Sequence, residues 1–285
     1  MAARAALLTP FALPAVRGNA VTAARIAAGL AARGVDLRVW DRSATPDAAI
    51  EAQVEAFAPS IVHAFHAWRV GPLALRLARR MEVPLVVTLT GTDANHDLFD
   101  AARAAEVRRV LEGAACVVAF HESIVARVLA VLPDLRARLR AVPQAAALPV
   151  EEAFRLTAVW PDLPSRRVLF AFPAGVRRVK RPRMVLGPFD GLVRRHPSVR
   201  LLYAGPLLED DEGAALLAAL TTRPWARYVG AVPHPAMASL LAQADVVLNC
   251  SLSEGGMANS LLEAFACGRA VLAADIEGNR SLVDH

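Results

Sequence analysis

Two carboxylates near the end of the chain flank a glycine-rich loop, in the stretch DVVLNCSLSEGGMANSLLEAFACGRAVLAAD that ends at Asp275. Glu254 precedes Gly255 and Gly256; Glu263 follows them with eight residues between the two glutamates. Glycines let backbone approach a ligand closely, and the N–H groups at a helix start form an anion site. The spacing predicts a short buried strand at Val246–Leu248, a loop from Cys250 to Gly256, a helix from about Met257 to Cys267 stopped by Gly268, and a strand from Ala270 to Ala274. On the helix, Ala258, Leu261, Leu262 and Phe265 read as the apolar face, and Asn259, Ser260 and Glu263 as the exposed polar face. Gly255 to Ser260 would then cradle a phosphate, with a carboxylate on each side.

Four further stretches could carry chemistry. PAGVRRVKRP holds four basic residues in five positions, Arg177 to Arg181. Arg177 and Lys180 could stabilise a departing diphosphate, or the run could be a solvated turn. TGTDAN ends an apolar strand at the place where parallel sheets bind ligands. There Asp93 could orient or deprotonate a substrate, or cap the next helix as an Asx turn. HAFHAW places His63 and His66 three apart at a strand end; with no third ligand in view, a metal pair is a poor reading. Gly18-Asn19 opens the first helix, as a cap or as a ligand contact.

The elements that position these groups alternate strand and helix throughout. Strands are expected at Ala5–Thr9, Asp36–Trp40, Ser60–Ala64, Val83–Leu89, Ala115–Phe120 and, edge-like, Arg140–Pro143; helices fall between them. A second series starts with Arg167–Phe172. Its first helix is expected to be interrupted by Gly187-Pro188 and is followed by a strand at Arg200–Ala204. This pattern is that of doubly wound α/β domains, although GxGxxG is absent. The predicted division is 1–148, a linker at 149–164, and 165–285.

Composition narrows the class. With 285 residues, 55% of them hydrophobic, the chain can build two domains. The net charge of +5 and pI of about 9.8 come from scattered arginines. This balance suits a phosphate-bearing small ligand or an anionic surface. Aromatics at 6% lack the stacking platforms of a nucleic-acid binder. Cys116, Cys250 and Cys267 form no CxxC pair and read as buried thiols of a reducing, cytoplasmic compartment. No apolar run reaches the length of a membrane span, which leaves only peripheral membrane contact open.

SEGGMANSLLEAFACGRAVLAADIEGNRSLV resembles the donor-binding motif of retaining GT-B glycosyltransferases of group 1, family 4. Through GNAVTA, GTDAN, the GVRRVK turn and IEGN the chain is similar to glycosyltransferase 1 domain-containing proteins, and it shares features with selenosugar synthases. The resemblance implies two Rossmann-like domains facing across a cleft, the first on the acceptor side and the second on the donor side. It implies transfer of a hexosyl or N-acetylhexosaminyl group from a nucleotide-sugar, expected to be a UDP-sugar, with no metal or other cofactor and an unidentified acceptor. Transfer to selenophosphate, or a non-catalytic nucleotide-binding role, are the alternatives. By the same likeness Glu254 lies by the donor sugar and Glu263 holds the ribose. Arg177 and Lys180 grip the diphosphate. Gly18 and Asn19 meet the donor phosphates or the acceptor. The family has seven residues between its glutamates, one fewer than here, and the extra residue falls in the loop. Relatives continue past Leu282-Val283-Asp284-His285, so a truncated second domain is expected.

Overall fold

The computed structural model describes residues 3–146, 148 and 152–283. The chain forms two compact units, Met1–Gln144 and Ala145–His285.

The first unit is built from β1 (Arg4–Thr9), α1 (Gly18–Ala31), β2 (Asp36–Asp41), α2 (Asp47–Phe57), β3 (Ile61–Phe65), α3 (Gly71–Arg80), β4 (Leu85–Thr88), α4 (Ala104–Glu112), β5 (Cys116–Ala119), α5 (Glu122–Leu129) and β6 (Leu139–Ala141). The six parallel strands lie in the order β2-β1-β3-β4-β5-β6. Strands covered by helices on both faces must be apolar throughout. β1 shows this: Leu7 and Leu8 are fully buried, with Leu7 opposite Val39 on one side and His63 on the other. Leu8, Val62, Leu77, Val87, Val110 and Val117 join one core. The sheet reverses direction of growth between β1 and β3, and that reversal opens a crevice at the carboxyl ends of the strands. A π-helical turn, Asp93–Asp97, follows β4.

The second unit holds α6 (Leu156–Val159), β7 (Val168–Pro173), α7 (Leu186–Arg195), β8 (Val199–Ala204), α8 (Asp210–Leu220), β9 (Ala226–Tyr228), α9 (His234–Leu241), β10 (Val246–Asn249), α10 (Asn259–Ala266), β11 (Ala270–Ala273) and α11 (Glu277–Arg280). Its five strands are parallel in the order β11-β10-β7-β8-β9, so the reversal falls between β10 and β7. Cores form on both faces of the sheet, one around Leu169, Leu240 and Val247, the other around Leu201, Phe172 and Leu248.

Two expectations change here. Much of the segment expected as a linker belongs to the second unit: Leu156 and Trp160 are buried in its core. An indole and a leucine cannot stay in water when a core lies beside them. Residues 149–151 of that segment lie outside the described residues. Pro188 does not interrupt α7. The helix begins at Leu186, so the proline sits in the first turn, where its missing N–H has no helical partner to lose.

Candidate active site

In the second unit the loops after β7 and β10 meet at the carboxyl end of the sheet, at the reversal point. Gly205 makes the neighbouring packing possible. With φ +153, its position leaves no room for a side chain: a Cβ would stand 2.3 Å from the Ala174 carbonyl oxygen. Val176 then pairs with the loop after β8, its N–H donating to Pro206 (2.8 Å) and its carbonyl accepting from Leu208 (3.0 Å). This positions the turn Arg178–Lys180. That turn is fastened to the loop after β10 by Leu252 N–H to the Val179 carbonyl (2.8 Å) and by Arg181 Nε to the Cys250 carbonyl (2.8 Å).

The contact between the two loops is ionic at its centre. Lys180 Nζ donates to Glu254 Oε1, and the same oxygen accepts from Ser251 Oγ (2.6 Å) and Asn249 Nδ2 (3.1 Å). Burial disfavours the charged form of Glu254, but the Lys180 charge and the hydrogen bonds from Lys180, Ser251 and Asn249 outweigh it. The carboxyl is held below its ordinary range. Asn249, at the end of β10, also donates to Ser260 Oγ (3.3 Å), and its Oδ1 accepts from Ser251 N–H (3.1 Å). With the extra loop residue present, Glu254 sits between the basic turn and the end of β10. Gly278 of α11 packs against it: a Cβ there would lie 2.7 Å from the Glu254 Cβ. Arg177 is half-buried; its carbonyl accepts from Lys180 N–H (2.9 Å), and among the described residues its guanidinium has no hydrogen-bonded or ionic partner.

Gly255 and Gly256 lead into α10, with Gly256 at φ +112. The helix starts at Asn259, two residues later than the spacing predicts, so Met257 and Ala258 belong to the loop; Ala258 offers no side-chain cap. The faces of α10 also differ from the expected ones. Leu261, Glu263 and Ala264 are buried, whereas Phe265 is 42% exposed. Glu263 is not on a solvated face. Its Oε1 pairs with His234 Nε2 of α9 at 3.1 Å. A buried carboxylate requires such a partner. Among the described residues β11, packed against this helix, is the edge strand of the sheet.

The first unit treats its expected residues differently. Asp93 is fully buried, and its two oxygens accept four backbone N–H groups: Thr90 and Gly91 at 2.9 Å, Ala94 at 3.1 Å and Ala67 at 2.9 Å. This corrects the base reading. A carboxylate enclosed by four peptide donors shapes the loops after β3 and β4, and has no oxygen facing a substrate proton. Gly18 and Asn19 occupy the first turn of α1, whose cap residue is Arg17; Asn19 Nδ2 lies 3.5 Å from Thr90 Oγ1. His63 stays in β3 with its Nε2 2.8 Å from Thr88 Oγ1, and burial pulls its pKa from 6.5 to about 4. His66 leaves the strand at φ 117 and is buried beside Asp93 and Asp97. Among the described residues no group of three or more His, Cys, Asp or Glu side chains could hold a metal ion, and no helix is long and apolar enough to cross a membrane.

The sequence reading missed Asn249, Ser251, His234 and Gly278. Asn249 carried a signal: it is the polar end of an apolar strand run, where α/β sheets place ligand groups. His234 carried none, since its partner is 29 residues away and only the packing of α9 on α10 joins them.

Comparison with known proteins agrees with this architecture. Residues 166–285 match the family model "Glycosyl transferases group 1", and residues 43–145 match "Glycosyl transferase 4-like domain". Glycosyltransferase 1 domain-containing protein 1 of Xenopus tropicalis is 25% identical over 280 residues, which take in 96% of this chain and 79% of that protein. Among solved structures, HepE of Anabaena in complex with UDP-glucose superposes with a TM-score of 0.71 at 16% identity, over 99% of this chain and 83% of that one. Sucrose-phosphate synthase of Thermosynechococcus elongatus gives 0.77 at 17% identity, over 98% and 82%. At these identities the two structures speak for the fold, which is GT-B. The chain thus carries a glycosyl transferase 4-like domain in its first unit and a group 1 glycosyltransferase domain in its second, on a GT-B fold.

Proposed function

We propose that the protein transfers a sugar from a nucleotide-sugar, a UDP-sugar by preference, to an acceptor with retention of configuration and without a metal ion. The observation that carries this reading is the pairing of the basic turn with the glycine-rich loop at the β7/β10 reversal. Arg177 offers a guanidinium with no acidic partner among the described residues. An ammonium has three donors; Glu254 engages one from Lys180, which leaves others for phosphate oxygens. These cations and the start of α10 would stabilise the negative charge on a departing diphosphate. Glu263, oriented by His234, would accept hydrogen bonds from the ribose hydroxyls. Glu254 would lie by the sugar. In the reaction the acceptor's nucleophilic atom bonds to the anomeric carbon as the bond from that carbon to the diphosphate oxygen breaks. The electron pair leaves with the nucleoside diphosphate, and the acceptor proton passes to the leaving phosphate oxygen on the same face of the sugar.

The structural neighbour solved with UDP-glucose supports the choice of donor. Thermal-shift titration with nucleoside diphosphates tests the donor site, because a ligand raises apparent stability in proportion to its occupancy. Incubation with UDP-sugars, followed by NMR of the anomeric proton in the product, tests transfer and retention. Absence of any nucleoside diphosphate binding at millimolar concentration would overturn the reading.

A further inference from the structure

The turn at α11 touches the glycine-rich loop and its strand at three points that the donor chemistry above leaves unused. Gly278 lies against Glu254, where a Cβ would stand 3.0 Å from the Glu254 carbonyl oxygen. Ser281 Oγ donates to the Gly256 carbonyl. Asn279 Nδ2 donates to Asn249 Oδ1 at 3.4 Å and to the Ala274 carbonyl at 2.9 Å. Asn279 is 2% exposed, and its Oδ1 has no hydrogen-bond partner among the described residues. An amide oxygen left in that state costs free energy that an apolar side chain of the same size would avoid. What the position uses is the NH2 end, whose two N–H groups are both engaged.

Asn249 is the next link, and it too is buried. Its Oδ1 accepts from the Ser251 backbone N–H and from Asn279. A backbone N–H can only donate, so the amide must turn its oxygen to that side. Its NH2 is thereby aimed the other way, at Glu254 Oε1 (3.1 Å) and Ser260 Oγ (3.3 Å). One amide group so ties the carboxylate to the first turn of α10. The charged residues of α11 stand apart from this chain of bonds. Glu277 and Arg280 are exposed, and Arg280 is bound to Asp275 at 2.6 Å. Lys180, from the turn after β7, is the cation that meets Glu254. A neutral replacement of Asn279 therefore changes no charge around the carboxylate; it changes what holds Asn249.

We propose that Asn279 is a positioning residue of the donor site, which through Asn249 fixes the Glu254 carboxylate relative to the start of α10. The relay stands on the hydrogen bonds alone; its effect on a donor sugar rests on the glycosyltransferase reading.

The test uses the full chain with its glutamates labelled at the side-chain carboxyl carbon, the Glu254 signal being the one that Glu254→Gln removes. An NMR titration from pH 7 downward reads that carboxyl without any substrate. In the parent its midpoint lies below 4.5. Loss of a donor disfavours the charged form, so Asn249→Leu and Asn279→Leu should each raise the midpoint, by about half a unit or more. The double variant should rise no further than Asn249→Leu alone, as expected when one residue acts through the other. Asn279→Ala carries the same expectation and serves if the leucine variant does not fold. Calorimetry with UDP and UDP-glucose then reads the consequence. Asn279→Leu should weaken UDP-glucose by about threefold or more and leave UDP within about 1.5-fold of the parent. A residue that only props the Ala274 carbonyl would lower the unfolding midpoint and leave both readings where they were. The proposal falls if the Glu254 midpoint in the folded Asn279 variant equals the parent's, if the double variant adds the two shifts, or if UDP and UDP-glucose weaken alike. UDP-glucose binding with an unmoved midpoint sinks this proposal alone. A raised midpoint in a protein that binds neither nucleotide sinks the glycosyltransferase reading and leaves the relay standing.

Discussion

Lys180→Ala tests whether the site's central ion pair is also structural. The two side chains are mostly out of water, 15% exposed for Lys180 and 12% for Glu254. Burial alone would push the Glu254 carboxyl up; the ammonium and the hydrogen bonds reverse that. Without the ammonium, Ser251 and Asn249 remain as neutral donors to a buried carboxylate. Removing one partner of a fully buried pair costs about 3–5 kcal/mol. With two hydrogen bonds kept and some water access, about 2–3 kcal/mol is expected here. This is far above the ~0.5 kcal/mol of an ordinary surface substitution. Adding Glu254→Gln removes the uncompensated charge and should recover about 1–2 kcal/mol. Amide hydrogen exchange of β7 and β10 in increasing urea reads the second unit separately. The pH dependence has a defined sign. In the parent the depressed carboxyl contributes stability that is complete above its ordinary value of 4.5 and lost as pH falls through the folded value. In Lys180→Ala the carboxyl is raised, and acid relieves its burial. The gap between the two proteins should therefore narrow as pH is lowered toward 4.5. A loss under about 0.5 kcal/mol, or the same loss in the Glu254→Gln background, would refute the coupling.

Arg177→Ala should leave stability within about 0.5 kcal/mol yet weaken nucleoside diphosphate binding by about tenfold or more, as for a charge-assisted contact; unchanged affinity in calorimetry removes it from the site. Glu254→Gln should slow transfer from the intact donor while sparing product affinity, and full activity would take that carboxylate away from the sugar. Glu263→Gln keeps a hydrogen-bonding partner for His234, so the protein should fold, while every ribonucleotide, product included, should bind more weakly. Nucleotide affinity equal to the parent's contradicts the ribose role. His63 is neutral in the fold, with its pKa drawn down from 6.5 to about 4. Its contribution, up to about 3 kcal/mol, is complete above pH 6.5 and lost on descent toward 4. His63→Gln should flatten urea midpoints across that window; an unaltered slope would assign the acid sensitivity elsewhere.

Most elements were readable because the signal is local. Apolar runs such as Leu7-Leu8 and Val246–Leu248 can only be strands covered on both sides, and Gly34 and Gly268 stop the helices at positive φ. The glycine-rich loop was readable for the same reason, since Gly255, Gly256 and the following helix are contiguous. Boundaries slipped where tertiary contact sets them. α10 starts at Asn259, and Pro188 sits in the first turn of a helix that begins at Leu186.

Sequence alone determined two doubly wound units, the cationic turn, the paired glutamates and the likeness to group 1 glycosyltransferases. Tertiary structure decided which groups surround each side chain. Helical spacing places Glu263 and Phe265 on faces but says nothing of what covers each face. His234 takes up the carboxylate, and the phenyl ring stays 42% exposed. The same holds for Asp93, whose alternatives differ only in where four backbone N–H groups point, one of them contributed by Ala67, 26 residues away. Lys180 and Glu254 are 74 residues apart and become an ion pair because β7 and β10 are neighbours in the sheet. A carboxylate's role is set by the donors around it, and those donors come from segments that only the folded chain brings together.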